Sequence, residues 1–215
     1  MNKDEIIKRI LSSIILIPTV LFFIIKGSFL FNFFIFICFL ITTYEWLKLS
    51  KNNLLKFFGT IFIVISFYAI FKIRNEFDKD YFHLLLVVII CASTDIGGYL
   101  FGNIFKGPKL TKISPKKTYS GVIGSFLLSL IFTNLFLDFS SNVKSFEFTK
   151  EMFLFILLVS FISQIGDIIV SYFKRKSKIK DTGTIIPGHG GILDRIDGMI
   201  FAFPFSYVFF LNFNF

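Results

Sequence analysis

Long apolar runs separated by short charged segments dominate this chain. They cover roughly residues 10–25, 29–46, 54–71, 81–101, 121–137, 152–173 and 198–213. Most are close to the ~20 residues that an α-helix needs to cross a hydrocarbon core. The runs are continuous and not alternating, which favours helices over the strands of a membrane barrel. The pattern predicts an all-α, polytopic transmembrane bundle of about seven spans, forming a single membrane domain over residues 1–215. No small-x-small cleavage site follows the first run, so it reads as a span and not as a removable signal. No internal repeat breaks the pattern.

Composition agrees. Hydrophobic residues make up 54% of the 215 positions, phenylalanine alone supplies 34, and only 17% are charged. The mean hydropathy is +0.75. A soluble domain is about 45–50% apolar with about 25% charged residues, so an ordinary soluble domain, a disordered chain and a disulfide scaffold are all excluded. The two cysteines, Cys38 and Cys91, lie inside apolar runs and read as small buried hydrophobes, not as a disulfide or a zinc site.

Charge then orients the spans. The chain carries 23 Lys+Arg against 14 Asp+Glu. With the N-terminus in the cytoplasm and the sides alternating, the inside segments hold seventeen of these cations and the outside segments six. The outside set includes Lys79 and Lys144; the inside set includes Lys3, Lys51 and Lys112. This is a positive-inside signal, and it puts the long basic segments 102–120 and 174–197 on the cytoplasmic side together. A basic excess also suits nucleic acid, but the apolar runs argue against that partner.

Four acids are hard to reconcile with greasy surroundings. Asp95 and Asp167 lie within apolar runs, and Asp194 and Asp197 lie just before the last one. A carboxylate at a helix centre costs about 2.5–3.5 kcal/mol on insertion scales, so it needs a function or a partner. Ser163, Asp167, Ser171 and Lys174 recur at i, i+4, i+8 and i+11, forming one polar stripe that Arg175 continues. Asp194 and Asp197 are three apart and can share one helical face. Hard oxygen donors of this kind suit Mg²⁺, which takes a few carboxylates and fills its other positions with water and phosphate oxygens.

The neighbouring sequence is also unusual. Pro187-Gly188-His189-Gly190-Gly191 supplies a flexible backbone whose N–H groups can approach an anion. Lys174, Arg175, Lys176, Lys178 and Lys180 precede it, and Ser114-Pro115-Lys116-Lys117-Thr118 adds a second basic loop. Carboxylates, glycines and cations together read as a phosphate-and-metal site at the cytoplasmic surface. For Asp95 alone, and for His189 alone, a structural role and a site role both remain open.

These residues resemble a known signature. Ser171-x-x-Lys174-Arg175, Lys180-Asp181 and Pro187-Gly188-His189-Gly190-Gly191-x-x-Asp194-Arg195-x-Asp197 are similar to the pattern of the phosphatidate cytidylyltransferases, or CDP-diacylglycerol synthases. Arg9, Tyr44-Glu45-Trp46, Ser93-x-Asp95-x-Gly97-x-Tyr99 and the Ser114–Thr118 loop agree as well, so the resemblance runs over most of the chain. Two departures stand out. Tyr119-Ser120-Gly121 follows Thr118 where the family has Trp-Glu-Gly, and Asn103 follows Gly102 where the family has Arg.

The resemblance implies one reaction: phosphatidic acid attacks the α-phosphorus of CTP, giving CDP-diacylglycerol and pyrophosphate. It implies Mg²⁺ as cofactor, with K⁺ a candidate second cation, and a multi-pass protein of the cell (inner) membrane. The signature region 163–198 would carry the site, at the cytoplasmic face. Asp167, Asp194 and Asp197 would hold metal. Asp167, Asp194, Lys174, Arg175 and His189 form the implied catalytic set. Ser171, Lys116, Lys117, Gly190, Gly191, Arg195 and Asp95 form the implied substrate-binding set. The partners implied are CTP, phosphatidic acid and membrane lipids, with a homodimer left open.

Two rival readings share some of these features. CDP-alcohol phosphatidyltransferases resemble one another by an Asp-x-x-Asp-Gly-x-x-Ala-Arg run with two further aspartates downstream. Here Asp194-Arg195-Ile196-Asp197-Gly198 copies the start, but Met199-Ile200-Phe201 follows and no Asp comes later. A transporter of an anionic substrate would place the aspartates in an ion pathway, but no repeat supports it.

Overall fold

The computed structural model describes residues 3–50, 52–77, 81–111, 114, 116–141 and 148–212. Lys51, Lys79, Lys112, Pro115, Lys144 and Phe213 lie outside the described residues, as does the side chain of Lys3. Among the described residues the elements are helical: α1 (Lys3–Lys26), α2 (Ser28–Leu49), α3 (Asn53–Lys72), α4 (Phe82–Phe105), α5 (Tyr119–Ser141), α6 (Lys150–Lys176), α7 (Leu193–Ile196) and α8 (Met199–Asn212). A π-helical turn, Ile73–Phe77, extends α3. The first six helices are long and apolar enough to cross a membrane, while the last is shorter. At 1.5 Å per residue the 14 residues of α8 reach about 21 Å, less than a hydrocarbon core of ~30 Å.

Most of the helices run past the apolar stretches that predict them. The hydrophobic run reports only the part that must avoid water, whereas backbone hydrogen bonding continues through polar ends. Capping sets some of the limits. Asn52 accepts the Leu54 N–H at 2.9 Å and starts α3; Thr149 accepts the Met152 N–H at 3.2 Å and starts α6.

Packing separates an inner core from a greasy exterior. Phe155, Ile156, Leu86, Val87 and Ile90 are fully buried, while Phe29, Phe57, Phe58 and Phe139 point outward. Exposed apolar side chains around helical backbone are what a lipid-facing surface requires. The closest pair is α4 with α5. A Cβ at Gly121 would stand 2.8 Å from the Gly98 carbonyl oxygen, and one at Gly97 would collide with the Gly124 carbonyl. Small residues there let the two backbones touch. Hydroxyls bind the core further: Ser125 donates to the Thr94 carbonyl, Thr94 to Ser160, and Ser66 to the Ile200 carbonyl, at 2.8, 2.8 and 2.6 Å.

The helices alternate direction as the cation asymmetry requires. At one end Ser177 donates to the Leu49 carbonyl at 2.6 Å and Arg9 donates to the Gly188 carbonyl at 2.9 Å. At the other end Arg74 donates to the Ile24 carbonyl and Asn75 to Asn32. Lys117, in the basic segment after α4, pairs with Asp167 of α6 and lines one cavity with Asp194, in the segment after α6, so these two segments meet at one end of the bundle.

Candidate active site

One wall of the site grows from α6. Its polar stripe faces α7 and the start of α8, and glycines set the distance. A Cβ at Gly166 would stand 3.1 Å from the Asp197 carbonyl oxygen, and one at Gly198 would collide with the Ser163 hydroxyl. This approach brings Asp197 beside Asp167. Two α6 turns further on, the buried Lys174 ammonium lies 2.9 Å from Asp194 Oδ1 and 3.5 Å from Asp197 Oδ2.

Asp194 is held on its other oxygen too. Its Oδ2 accepts the Thr182 N–H at 2.7 Å, the Gly191 N–H at 2.9 Å and the Thr182 hydroxyl at 3.0 Å. The turn carrying Gly190 is closed by a mutual pair of backbone bonds between Ile186 and Gly190. Gly190 has φ +89°, and a Cβ there would stand 2.6 Å from Asp194 Oδ2, so this position needs glycine on both counts. Burial alone would push the Asp194 carboxyl up, but the Gly191 N–H, Lys174 and the Thr182 N–H outweigh it and hold it below the usual value. Asp197 moves the opposite way: burial, then the charge of Asp167, raises it well above the ordinary range despite Lys174.

The facing wall comes from α4 and the loop after it. Lys117 Nζ lies 2.6 Å from Asp167 Oδ2 and donates to the Gln164 carbonyl at 3.3 Å. Asp167 Oδ1 accepts the Ser171 hydroxyl at 3.1 Å. The loop closes through Leu110 N–H to the Lys117 carbonyl, and Ser120 donates to the Lys106 carbonyl at 2.7 Å. At Ser120, where the resemblance leads one to expect glutamate, the chain thus uses a hydroxyl donor, a role an ionised carboxylate cannot fill.

Between the walls lies a cavity of about 330 Å³ lined by Asp95, Lys116, Lys117, Asp167, Asp194 and Asp197, among others. Residues more than 70 positions apart in sequence meet there, and Asp95 proves to be part of this wall. Of the other expected site residues, Ser171, Lys174, Gly190 and Gly191 touch lining residues without lining the cavity themselves, and Arg175, Arg195 and His189 make contacts elsewhere. The Arg175 guanidinium donates to the Ile179 carbonyl, and Arg195 to the His189 carbonyl. His189 Nδ1 lies 2.6 Å from the Ser12 hydroxyl of α1, with Nε2 3.5 Å from Ser13. Ser12 also meets the Lys8 and Arg9 carbonyls, which use its one proton, so Nδ1–H donates to the Ser12 oxygen. Partial burial, then the charges of Arg195 and Arg9, lower the pKa of the ring.

Sequence reasoning left one residue without a role. Glu45, in α2, is 2% exposed, and its carboxylate accepts from Thr182, Ile192 and Leu193. It sits directly behind Asp194. Its signal was available: a carboxylate inside an apolar run, as at Asp95 and Asp167.

A sequence model of the cytidylyltransferase family matches residues 53–213. The chain belongs to the cytidylyltransferase family. It is 35% identical over 205 residues to the phosphatidate cytidylyltransferase of Rickettsia conorii, covering 93% of this chain and 88% of that one. The corresponding protein of Haemophilus influenzae is 40% identical over 171 residues, covering 75% and 59%. That of Bacillus subtilis is 33% identical over 150 residues, covering 69% and 55%. The family match contains both walls of the cavity and begins downstream of Glu45 and of the α1 residues that meet His189.

Cytidylyltransferase chemistry raises the question of a divalent ion. Among the described residues no three His, Cys, Asp or Glu side chains converge tightly enough to form a cage. Mg²⁺ does not need one, because it is commonly bound by one or two carboxylates together with water and substrate phosphates. Asp167, Asp194 and Asp197, with Asp95 beside them, contribute hard oxygens to one cavity with room for such ligands. The donor set fits.

Proposed function

We propose that this chain is a multi-pass membrane enzyme that transfers the cytidylyl group of CTP to phosphatidic acid. A lipid phosphate oxygen forms a bond to the α-phosphorus, the bond from that phosphorus to the β-phosphate oxygen breaks, and the electron pair leaves with pyrophosphate. The nucleophile is already ionised, so no strong general base is required. The difficulty is bringing two polyanions together, and fixed positive charge and alignment address it. The observation that carries this reading is the gathering of four carboxylates and two lysines on one cavity in a chain of this family.

The roles divide accordingly. Asp167, Asp194 and Asp197 would hold Mg²⁺, which would supply charge neutralisation and Lewis acidity toward the phosphates when bound. Lys116 and Lys117 approach the phosphates from one wall. Lys174 keeps Asp194 and Asp197 together and lends positive charge to the other wall from just behind the cavity lining. Ser171 orients Asp167; Gly190 and Gly191 shape the backbone around Asp194; Asp95 completes the wall. Arg175 and Arg195 contribute positive potential from outside the cavity, and His189 fixes the glycine turn. The region 163–198 carries the chemistry within one membrane domain. The site opens at the cytoplasmic face of the cell membrane, where CTP arrives from water and the lipid from the bilayer.

The test is incubation of the purified protein with labelled CTP and phosphatidic acid, with and without Mg²⁺. Labelled CDP-diacylglycerol and equimolar pyrophosphate, formed only with the divalent ion, are expected. Absence of a nucleotide-bearing lipid would sink the reading. A transporter would instead move substrate without covalent change.

A further inference from the structure

We propose that Glu45 is a positioning residue, holding the segment from Thr182 to Leu193 so that Asp194 stays at the cavity wall. The inference rests on the function proposed above, because one arm of its test reads that reaction.

The geometry is specific. Glu45 Oε1 accepts the Ile192 N–H at 3.1 Å, and Oε2 accepts the Leu193 N–H at 2.8 Å. The Thr182 hydroxyl lies 3.0 Å from Glu45 Oε2 and 3.0 Å from Asp194 Oδ2. One hydroxyl, with a single proton, therefore sits within hydrogen-bond reach of both carboxylates, and moving either changes its contact with the other. Two glycines leave room for this arrangement. A Cβ at Gly183 would stand 2.7 Å from Glu45 Oε1, and a Cβ at Gly191 would collide with the carboxylate.

A buried carboxylate is costly unless hydrogen bonds compensate it. Here neutral donors from a segment more than 130 residues away do so, and among the described residues no lysine or arginine forms an ion pair with it. The family's reaction does not require such a group. Glu45 also does not line the cavity, so it acts through Thr182, Gly191 and Asp194 and not on the substrate.

The test uses the full chain in detergent or nanodiscs. Glu45→Gln keeps the side-chain shape but replaces one acceptor with an NH₂ donor facing existing donors. Amide exchange at whichever of Ile192 and Leu193 faces the new NH₂ should then accelerate by at least about tenfold, because that amide loses its acceptor. The kcat should fall by about 10²-fold, the scale of a small misplacement of a reacting group, with KM for CTP changed far less. Thr182→Val, the milder variant should Glu45→Gln fold poorly, removes only that hydroxyl. It should cost less, and the double variant should be no worse than Glu45→Gln alone, since contacting residues are not additive.

Exchange unchanged at both amides would overturn the proposal. So would losses of kcat that add, or a normal kcat per folded molecule with only the melting temperature lowered, which is the mark of a purely structural brace. A wild type without CDP-diacylglycerol activity would instead overturn the reaction assigned to the site, and that is read before any variant.

Discussion

The two walls of the cavity are held in different ways. On the α6–α7 side, Lys174 spans two aspartates, Asp194 takes four donors, and Glu45 braces the same segment from behind. The contacts there are buried or part-buried and share partners, so each group depends on its neighbours. On the α4–α5 side, Lys117 meets Asp167 in one ion pair whose side chains keep 23% and 30% exposure. Exposed pairs contribute about 0–1 kcal/mol, so Lys117 can exchange Asp167 for a phosphate at little cost. Lys174 cannot leave without stranding two carboxylates. One wall is pre-organised; the other is free to follow its ligand.

The largest test of that contrast is Asp194→Asn. It should lower kcat/KM by about 10³-fold, comparable to removing a principal electrostatic group from an active site. It should also destabilise the fold by about 1–3 kcal/mol, because Lys174 and the Thr182 and Gly191 amides lose a shared anionic acceptor. Assay of the purified variant and a thermal melt check both, and activity within tenfold of wild type would mean that Asp194 only braces the wall.

Lys174→Met comes next. The chain volume is nearly kept, but two carboxylates lose their cation, so stability should drop by about 3 kcal/mol. Lys117→Ala should leave the melting temperature unchanged and raise KM for CTP by about tenfold, since one exposed charge contact is removed. If the two lysine variants melt alike, the walls are equally rigid and the comparison fails.

How much of this was legible in the sequence follows from where the contacts lie. The spans and their alternation come from local hydropathy and loop charge, and those features are visible without a fold. The stripe of Asp167, Ser171 and Lys174 follows helical spacing, which is also local. Glu45 and Thr182, by contrast, meet across 137 positions. No periodicity encodes that pairing; only the insertion cost of Glu45 hinted at it. Asp95 was undecidable for the same reason, since its place on the cavity depends on how α4 packs. The apolar pattern near 198–213 also reads as a span, and α8 covers 14 of those positions among the described residues.

The smallest effect concerns the outer end of the braced wall, where His189 docks on α1 through Ser12. Ser12→Ala removes the acceptor of the Nδ1–H and should cost about 1 kcal/mol of docking, roughly fivefold at most in rate. If His189 acts only by anchoring the glycine turn, His189→Ala should cost no more than Ser12→Ala, and the pair should be non-additive. A far larger loss in His189→Ala would put the imidazole on the substrate. Acid should mimic the milder variant. The docked ring has a lowered pKa, so the undocked ring takes up protons first. Docking is therefore complete above the ordinary histidine value of about 6.5 and weakens as pH falls below it. Amide exchange across 187–191, compared at neutral and acid pH, should show that loss in wild type and not in Ser12→Ala.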